Sequence, residues 1–306
     1  MKKIRIALVG LGDIAQKAYL PIVANHPEVL PILCTRNPET LAKLQTQYRI
    51  NESYTDIQEL IANKPDAIMI HTATSSHFSL AEQCIKAGIA TFVDKPLSFD
   101  IAECENLVAL ARKNDVPFYV GFNRRFAPLI SPLLQKELIH VRWQKNRMSL
   151  PATPREFVFN DFIHLVDGLR FLAKLPLGTI PEVLRVNSFK QGDLLANITI
   201  GFEYNDGLFE ASMNRLSGIT EEKLEVFSAD EKYHIESLTH GSHYKNGSET
   251  ALGFTDWHSY LFTRGFEHMI TDWVNDIKKG SANNIRLQEI IASHRLCEAI
   301  VTSIEQ

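Results

Sequence analysis

One turn constrains this chain more than any other feature. Ile4 to Val9 is a short apolar run, Gly10-Leu11-Gly12-Asp13-Ile14-Ala15 follows it directly, and the residues after Ala15 take up a helical period. A strand that passes through two glycines straight into a helix lets backbone approach a pyrophosphate while the helix N-terminus offers its free amides. A GxG string alone is common by chance and serves elsewhere as a plain tight turn. Its place between an N-terminal strand and a helix is what gives it meaning. The turn therefore predicts a dinucleotide site contacted by Gly10, Gly12, Asp13, Ile14 and Ala15.

The rhythm that begins there continues to about residue 121. Apolar runs at Ile4 to Val9, Val29 to Thr35, Ala67 to His71, Ala90 to Asp94 and Pro117 to Phe122 alternate with helical stretches near 13–25, 38–48, 76–87 and 100–114, and Tyr54 to Ala62 reads as one more short helix. That pattern builds a parallel sheet covered on both faces. Beyond about residue 140 it changes. Ile139 to Met148, Glu182 to Lys190, Leu194 to Tyr204, Gly207 to Arg215, Lys223 to Ser228 and Lys232 to Leu238 follow one another mostly without helices, and Asn205-Asp206-Gly207 has the Asp-Gly of a hairpin turn. A helix from Asp161 to Leu175 interrupts the strands, and two more near 260–279 and 285–304 close the chain. At 306 residues the chain is too long for one comfortable core. The expected fold is α/β: a doubly wound Rossmann domain over 1–122, which binds a dinucleotide, and an α+β domain over 123–306 with a large, mostly antiparallel sheet.

A formal charge of -4 and a 22% charged fraction give no electrostatic reason to expect nucleic acid or an acidic membrane as partner, so the expected ligand is a small molecule. Cys34, Cys84, Cys104 and Cys297 form no CxxC pair and read as reduced core residues. The basic start Met1-Lys2-Lys3 resembles a signal peptide, but its apolar run stops at the glycine turn, so the segment is read as a strand. No stretch approaches the length of a membrane helix, the Asn-x-Ser/Thr matches at Asn51, Asn197 and Asn246 mean nothing without secretion, and the expected compartment is cytoplasmic. His234, His240 and His243 lack acidic or thiol partners at zinc-like spacing; no metal is expected, and the Gly-Ser-Lys-Asn content around them reads as an exposed loop.

An NAD-preferring site usually carries an acid at the end of the second strand to hold the ribose hydroxyls, whereas this chain reads Cys34-Thr35-Arg36-Asn37. A hydroxyl beside a guanidinium welcomes a 2'-phosphate that a carboxylate would repel. Thr35 and Arg36 thus favour NADP over NAD, against the plainer alternative that Arg36 is a solvated loop residue.

By the open-sheet rule, the residues that touch ligands lie just after each parallel strand. Three places qualify: Thr72-Ala73-Thr74-Ser75-Ser76-His77, Asp94-Lys95-Pro96-Leu97 and Gly121-Phe122-Asn123-Arg124-Arg125-Phe126. Taken together and in order, GLGDIA, TATSSH, DKPL and GFNRRF resemble the Gfo/Idh/MocA oxidoreductase family over essentially the whole chain, and GLGDIAQKAYLP with GFNRRFAP resembles its MviM group of virulence factor homologues. The resemblance implies NAD(P) as cofactor, sugars, cyclitols or related polyols as substrates, and a second subunit covering the open sheet, hence a homodimer or homotetramer. It also implies that Thr72, Thr74, His77, Asp94, Lys95, Asn123 and Arg125 lie near the cofactor.

The family's Glu-Lys-Pro stands here as Asp94-Lys95-Pro96, which keeps the lysine that in relatives reaches the substrate hydroxyl. An ammonium there can share a proton with a reacting oxygen; the bland alternative is a solvent lysine in a βα loop. The family's Asp-x-x-x-His maps onto Asn160-Asp161-Phe162-Ile163-His164, so the histidine is present and the acid is replaced by its amide. Asn160 can hold a hydroxyl but cannot balance an imidazolium; Asp161, or Asp167 one turn beyond His164, could orient the ring instead. A helix histidine with a capping Asn160 or Asp161 is the structural alternative. The expected function is hydride transfer between nicotinamide and a carbinol or carbonyl carbon, with Lys95, His164, Asn160 and Asp161 as the reacting set. A dinucleotide-binding sensor that has lost turnover is the rival, and Asn160 is the feature that speaks for it.

Overall fold

In the computed structural model, residues 3–182 and 184–306 are described, and they fall into two compact units. The first comprises the chain up to Gly121 together with Phe266–Ile291; the second comprises Phe122–Gly265 and Ala292–Gln306. Each unit is therefore assembled from two separate stretches of chain.

The first unit is built on a six-stranded sheet of β1 (Ile4–Val9), β2 (Val29–Cys34), β3 (Ser53–Tyr54), β4 (Ala67–Ile70), β5 (Ala90–Val93) and β6 (Phe118–Val120), all parallel, in the order β3-β2-β1-β4-β5-β6. The order reverses between β1 and β4, so the glycine turn that leaves β1 lies at the switch point. β4 and β5 are buried throughout, which is why they read as mainly apolar runs, with the hydroxyl of buried Thr91 donating to the Ile89 carbonyl. The crossover helices α1 (Leu20–Asn25), α2 (Pro38–Tyr48), α3 (Ile57–Ala62), α4 (His77–Lys86) and α5 (Ile101–Lys113) follow the predicted helical stretches. Tyr54 to Ala62 is a correction. Tyr54 pairs with Cys34 as the end of β3, and the helix starts only at Ile57, after Asp56 has capped the amides of Gln58 (2.7 Å) and Glu59 (3.1 Å). A two-residue strand is too short to display a period of its own.

The second unit carries an eight-stranded sheet of β7 (Leu138–Asn146), β8 (Arg185–Gln191), β9 (Leu194–Tyr204), β10 (Gly207–Asn214), β11 (Glu221–Ser228), β12 (Glu231–Glu236), β13 (His240–Lys245) and β14 (Ser248–Leu252), in the order β14-β13-β12-β11-β7-β10-β9-β8. β7 and β10 run parallel and the other neighbours antiparallel. β10 alternates strictly between buried and half-buried residues, as a sheet covered on one face requires. The strand expected from Glu182 begins at Arg185; Val183 lies outside the described residues. The exposed loop expected around His240 and His243 is instead a hairpin. Asn246 and Gly247, both at positive φ, form the turn joining β13 to β14, and the polar residues that suggested a loop are simply those of an edge hairpin.

The helix expected from Asp161 starts earlier, with α6 (Pro154–Phe157) capped by Thr153, passes through a π-helical turn at Val158–Phe162 and continues as α7 (Ile163–Ala173). The long helix expected over 260–279 is cut at Gly265 (φ 80°), where a side chain would run into the carbonyl oxygen of Asn123, leaving α8 (Tyr260–Thr263) and α9 (Phe266–Lys279). α10 (Asn284–Glu305) closes the chain. Among the described residues no helix is long and apolar enough to cross a membrane. All four cysteines are buried, and burial pushes the Cys34 thiol up to about 11 and that of Cys84 to about 12, so both stay protonated.

Candidate functional site

On the first unit the turn after β1 is closed on one side and open on the other. Gly10 sits at φ 85°, its amide donates to the carbonyl of Cys34 (3.0 Å), and a Cβ there would lie 2.6 Å from Thr72 Cγ2 and 2.8 Å from the Thr72 nitrogen. A Cβ on Gly12 would meet no heavy atom within 4 Å. The helix opens with a π-helical turn at Ala15–Tyr19; Ala15 is buried, while Asp13 and Ile14 are exposed, Asp13 pairing with Lys17 (2.7 Å). An open glycine, a first helical turn with amides to spare and an exposed Ile14 fit the phosphates and flat faces of a dinucleotide.

At the end of β2, Thr35 is tied to β3 through its amide (3.2 Å to Tyr54 O) and Asn37 caps α2 by accepting from the amides of Glu39 and Thr40, both at 3.0 Å. Arg36, between them, is exposed and pairs with no carboxylate among the described residues.

The two remaining loops at this edge of the sheet are laced together. His77 is buried, with Nδ1 2.9 Å from the carbonyl oxygen of Pro96 and Nε2 3.0 Å from that of Thr72. Both ring nitrogens face backbone, so His77 fastens the Thr72 loop to the lysine loop. Thr72 also accepts from Ser76 Oγ (2.8 Å), and Thr74 lies half-buried at the start of the next turn. Asp94 Oδ1 accepts from the Tyr19 hydroxyl (2.9 Å) and from the Lys95 amide (2.8 Å). Burial pushes the Asp94 carboxyl above the usual carboxylate range, and Lys95 and Tyr19 pull against that shift. The Lys95-Pro96 bond is cis, and Lys95 itself is half-buried. Behind them His71 stacks on Tyr19 at 4.0 Å, and burial lowers its imidazole to about 3, so it is a neutral member of the core. Tyr19 and His71 carry no motif that would have marked them in the sequence.

On the second unit, Asn123 is buried and donates to the carbonyl of Arg264 (2.9 Å), while Arg125 grips Asp167 through two bonds of 2.8 and 2.5 Å. Asp167 also accepts from Ser293 (2.7 Å). Asn160 is exposed in the π-helical turn, and His164 is half-buried in the first turn of α7.

Asp161, expected to orient His164, lies instead among three cations: it pairs with Lys145, with Arg147 at 2.8 and 3.1 Å, and with Arg215 at 3.5 Å. The reason is its position in the π-helical turn, which buries it against the sheet beside an exposed Asn160. Its own burial opposes ionisation, yet Lys145 and Arg147 outweigh that and hold it far below the usual carboxylate range. Burial, reinforced by Arg124, brings Lys145 down to about 7. Deeper still, Glu222 accepts two bonds of 2.7 Å from Arg124 and one of 3.2 Å from Trp143 Nε1; burial resists its charge, but Arg124 brings the carboxyl down to about 2. This network was absent from the sequence reading although a signal existed. Lys145 shares the β7 face of Val141 and Trp143, and Glu222 shares the β11 face of Leu224 and Val226, so each is a charge in an apolar register.

Residues 4–122 match the oxidoreductase family with an NAD-binding Rossmann fold. The crystal structure of a Gfo/Idh/MocA family oxidoreductase from Vibrio cholerae is 40% identical, covers 99% of both chains and superposes with a TM-score of 0.93. A dehydrogenase (MviM) from Clostridium difficile is 26% identical, with 99% of this chain and 100% of that one covered and a TM-score of 0.90. UDP-N-acetylglucosamine 3-dehydrogenase of Acidithiobacillus ferrooxidans is 25% identical over 83% of this chain and 80% of its own.

Proposed function

The chain belongs to the Gfo/Idh/MocA oxidoreductase family, and from that premise we propose that it interconverts a carbinol and a carbonyl on a sugar-like or polyol substrate, with NADP(H) as its redox partner in preference to NAD(H). The observation that carries this reading is the bracing of Asp94-Lys95-Pro96 by Tyr19 and His77, which fixes a lysine at the same sheet edge as the open Gly12. Its relation to a sugar-nucleotide dehydrogenase supports the substrate class.

Gly10, Gly12, Asp13, Ile14 and Ala15 would hold the pyrophosphate, Thr35 and Arg36 the adenosine ribose and its 2'-phosphate, and Thr72 and Thr74 the adjoining edge. When bound, the nicotinamide would supply or accept the hydride. Lys95 orients and polarises the reacting oxygen, His164 gives or takes its proton, and the exposed Asn160 holds a neighbouring hydroxyl. Asp161 stays ionised and fixes the positions of Lys145 and Arg147. Asn123 and Arg125 act through the structure that they hold together.

The test follows reduced-nicotinamide absorbance with both cofactors and a panel of sugars, inositols and their keto forms. Lys95→Ala and His164→Ala are each expected to abolish turnover while cofactor binding, read by fluorescence titration, stays nearly intact. Loss of binding in either variant would mark that residue as structural. Arg36→Ala is expected to weaken NADPH binding much more than NADH binding, and equal losses would remove the NADP preference. Asn160 in place of the acid favours one second reading, a dinucleotide-binding sensor, for which the same assay would give binding without turnover across the panel.

A further inference from the structure

We infer that the second unit holds a subsite for an anionic oxygen group of the substrate, a carboxylate or a phosphoryl group, formed by Arg147 and Arg264 near Tyr260. This deepens the reading above by naming the substrate's class, and it rests on that reading for the identity of the bound molecule as substrate.

The argument is one of unbalanced charge. Four guanidinium groups, Arg124, Arg147, Arg215 and Arg264, converge on two carboxylates, Asp161 and Glu222, which Lys145 also approaches. Glu156, the other acid felt by Arg215, is turned to Thr153 at 2.9 Å, and Glu221 is held by Asn146 and Lys223. A buried cation without a counter-charge is costly, and side chains are arranged so that such charges find a partner. Glu222 is already engaged: its oxygens take two bonds from Arg124 and one from the Trp143 indole, and Arg264 stands 3.9 Å away.

Arg264 is thus a largely buried guanidinium whose Nε makes no hydrogen bond. Its guanidinium carbon lies 4.7 Å from the centre of the Tyr260 ring. Arg147, within electrostatic reach of the same tyrosine, spends Nε and Nη2 on Asp161 and keeps a third of its side chain exposed. Tyr260 is 62% exposed, so the space around it opens to solvent. Asp161, which anchors Arg147, directly follows Asn160 in the π-helical turn and precedes His164 by three residues. A neutral sugar would leave the excess unanswered. A planar carboxylate or a phosphoryl group would meet it with the fork geometry that guanidinium groups prefer.

The test is calorimetric titration of the full-length protein, at constant ionic strength, with inorganic phosphate, acetate, glucose, glucuronate and glucose 6-phosphate. At least one of the two anionic sugars should bind about tenfold more tightly than glucose, the loss expected for one charge-assisted hydrogen bond. Phosphate with glucose 6-phosphate, against acetate with glucuronate, tells the phosphoryl from the carboxylate form. Arg264→Gln and Arg147→Gln should each weaken the anionic ligands about tenfold, with NADPH titration close to the parent's and, for Arg264→Gln, thermal unfolding close to it as well. Glucose bound as tightly as its anionic analogues, no binding of any anion, or anion binding indifferent to both substitutions would overturn the subsite. Arginine-dependent anion binding in a protein that turns over no sugar would defeat the dehydrogenase reading and leave the subsite standing; sugar turnover with anion binding indifferent to both substitutions would do the reverse.

Discussion

Gly10 and Gly12 look alike in the sequence and differ in what a methyl group would do. At Gly10 the added carbon would enter the Thr72 backbone at 2.8 Å in a left-handed conformation, so Gly10→Ala should destabilise the protein by about 2–4 kcal/mol, combining overpacking with backbone strain. At Gly12 it would meet open space, so Gly12→Ala should melt with the parent yet weaken dinucleotide binding about tenfold or more, because the lost clearance belongs to the ligand. Thermal unfolding paired with NADPH titration separates the two, and a Gly12→Ala protein that binds normally would remove the pyrophosphate from this turn. Lys145 makes a prediction of another kind. Folded, it loses its proton near 7, whereas an unfolded lysine keeps it to about 10.5. Between those values the unfolded chain binds more protons, so this residue makes stability rise with pH, by at most about 1.4 kcal/mol per pH unit. Lys145→Met should flatten that rise; urea titrations of both proteins at pH 7 and pH 9 measure it.

At the scale of elements, α7 shows how tightly the second unit is packed. Gly168 faces Trp143, and a Cβ there would lie 2.2 Å from Cζ3 of the indole. Alanine favours the helix by about 1 kcal/mol over glycine, but pushing α7 off the sheet costs about 1–3 kcal/mol in strain and disturbs the Trp143 bond to Glu222. Gly168→Ala should therefore lower the denaturation midpoint, and an unchanged or raised midpoint would show that the helix can shift freely. The elements that the sequence made legible were those with a period long enough to see: β1, β4 and β5 through mainly apolar runs, and α4 and α5 through helical spacing. What escaped was either very short, as with β3, or governed by partners distant in the chain. Nothing local to Asp161 foretells that Lys145 and Arg215 will claim its carboxylate, and a π-helical turn, which adds a residue without altering composition, cannot be read from spacing. The Asn246-Gly247 turn, by contrast, was legible and outvoted by the polar residues on either side.

At the scale of the whole molecule, the first unit is completed by chain that arrives after the second has been made. Trp273 of α9 is fully buried, 6.0 Å from the Phe92 ring and 5.6 Å from that of Tyr119. Asp272 accepts from the Tyr119 hydroxyl at 2.9 Å, Arg286 lies 4.1 Å over the same ring, and Lys278 pairs with Glu28 at 2.6 Å. A fragment of residues 1–122 keeps all six strands of its sheet yet exposes Phe92 and Tyr119 where α9 should lie. Uncovering an aromatic surface of that kind forfeits about 3–5 kcal/mol for the tryptophan alone, a large part of a domain's stability. The fragment should therefore unfold at a much lower urea concentration than the intact chain, bind a hydrophobic dye, and bind NADPH weakly or not at all. Supplying residues 266–291 as a separate peptide should restore part of the stability, and a peptide carrying Trp273→Ala should restore much less. A 1–122 fragment as stable as the whole protein would mean that the glycine turn and its sheet need no later chain to hold their shape.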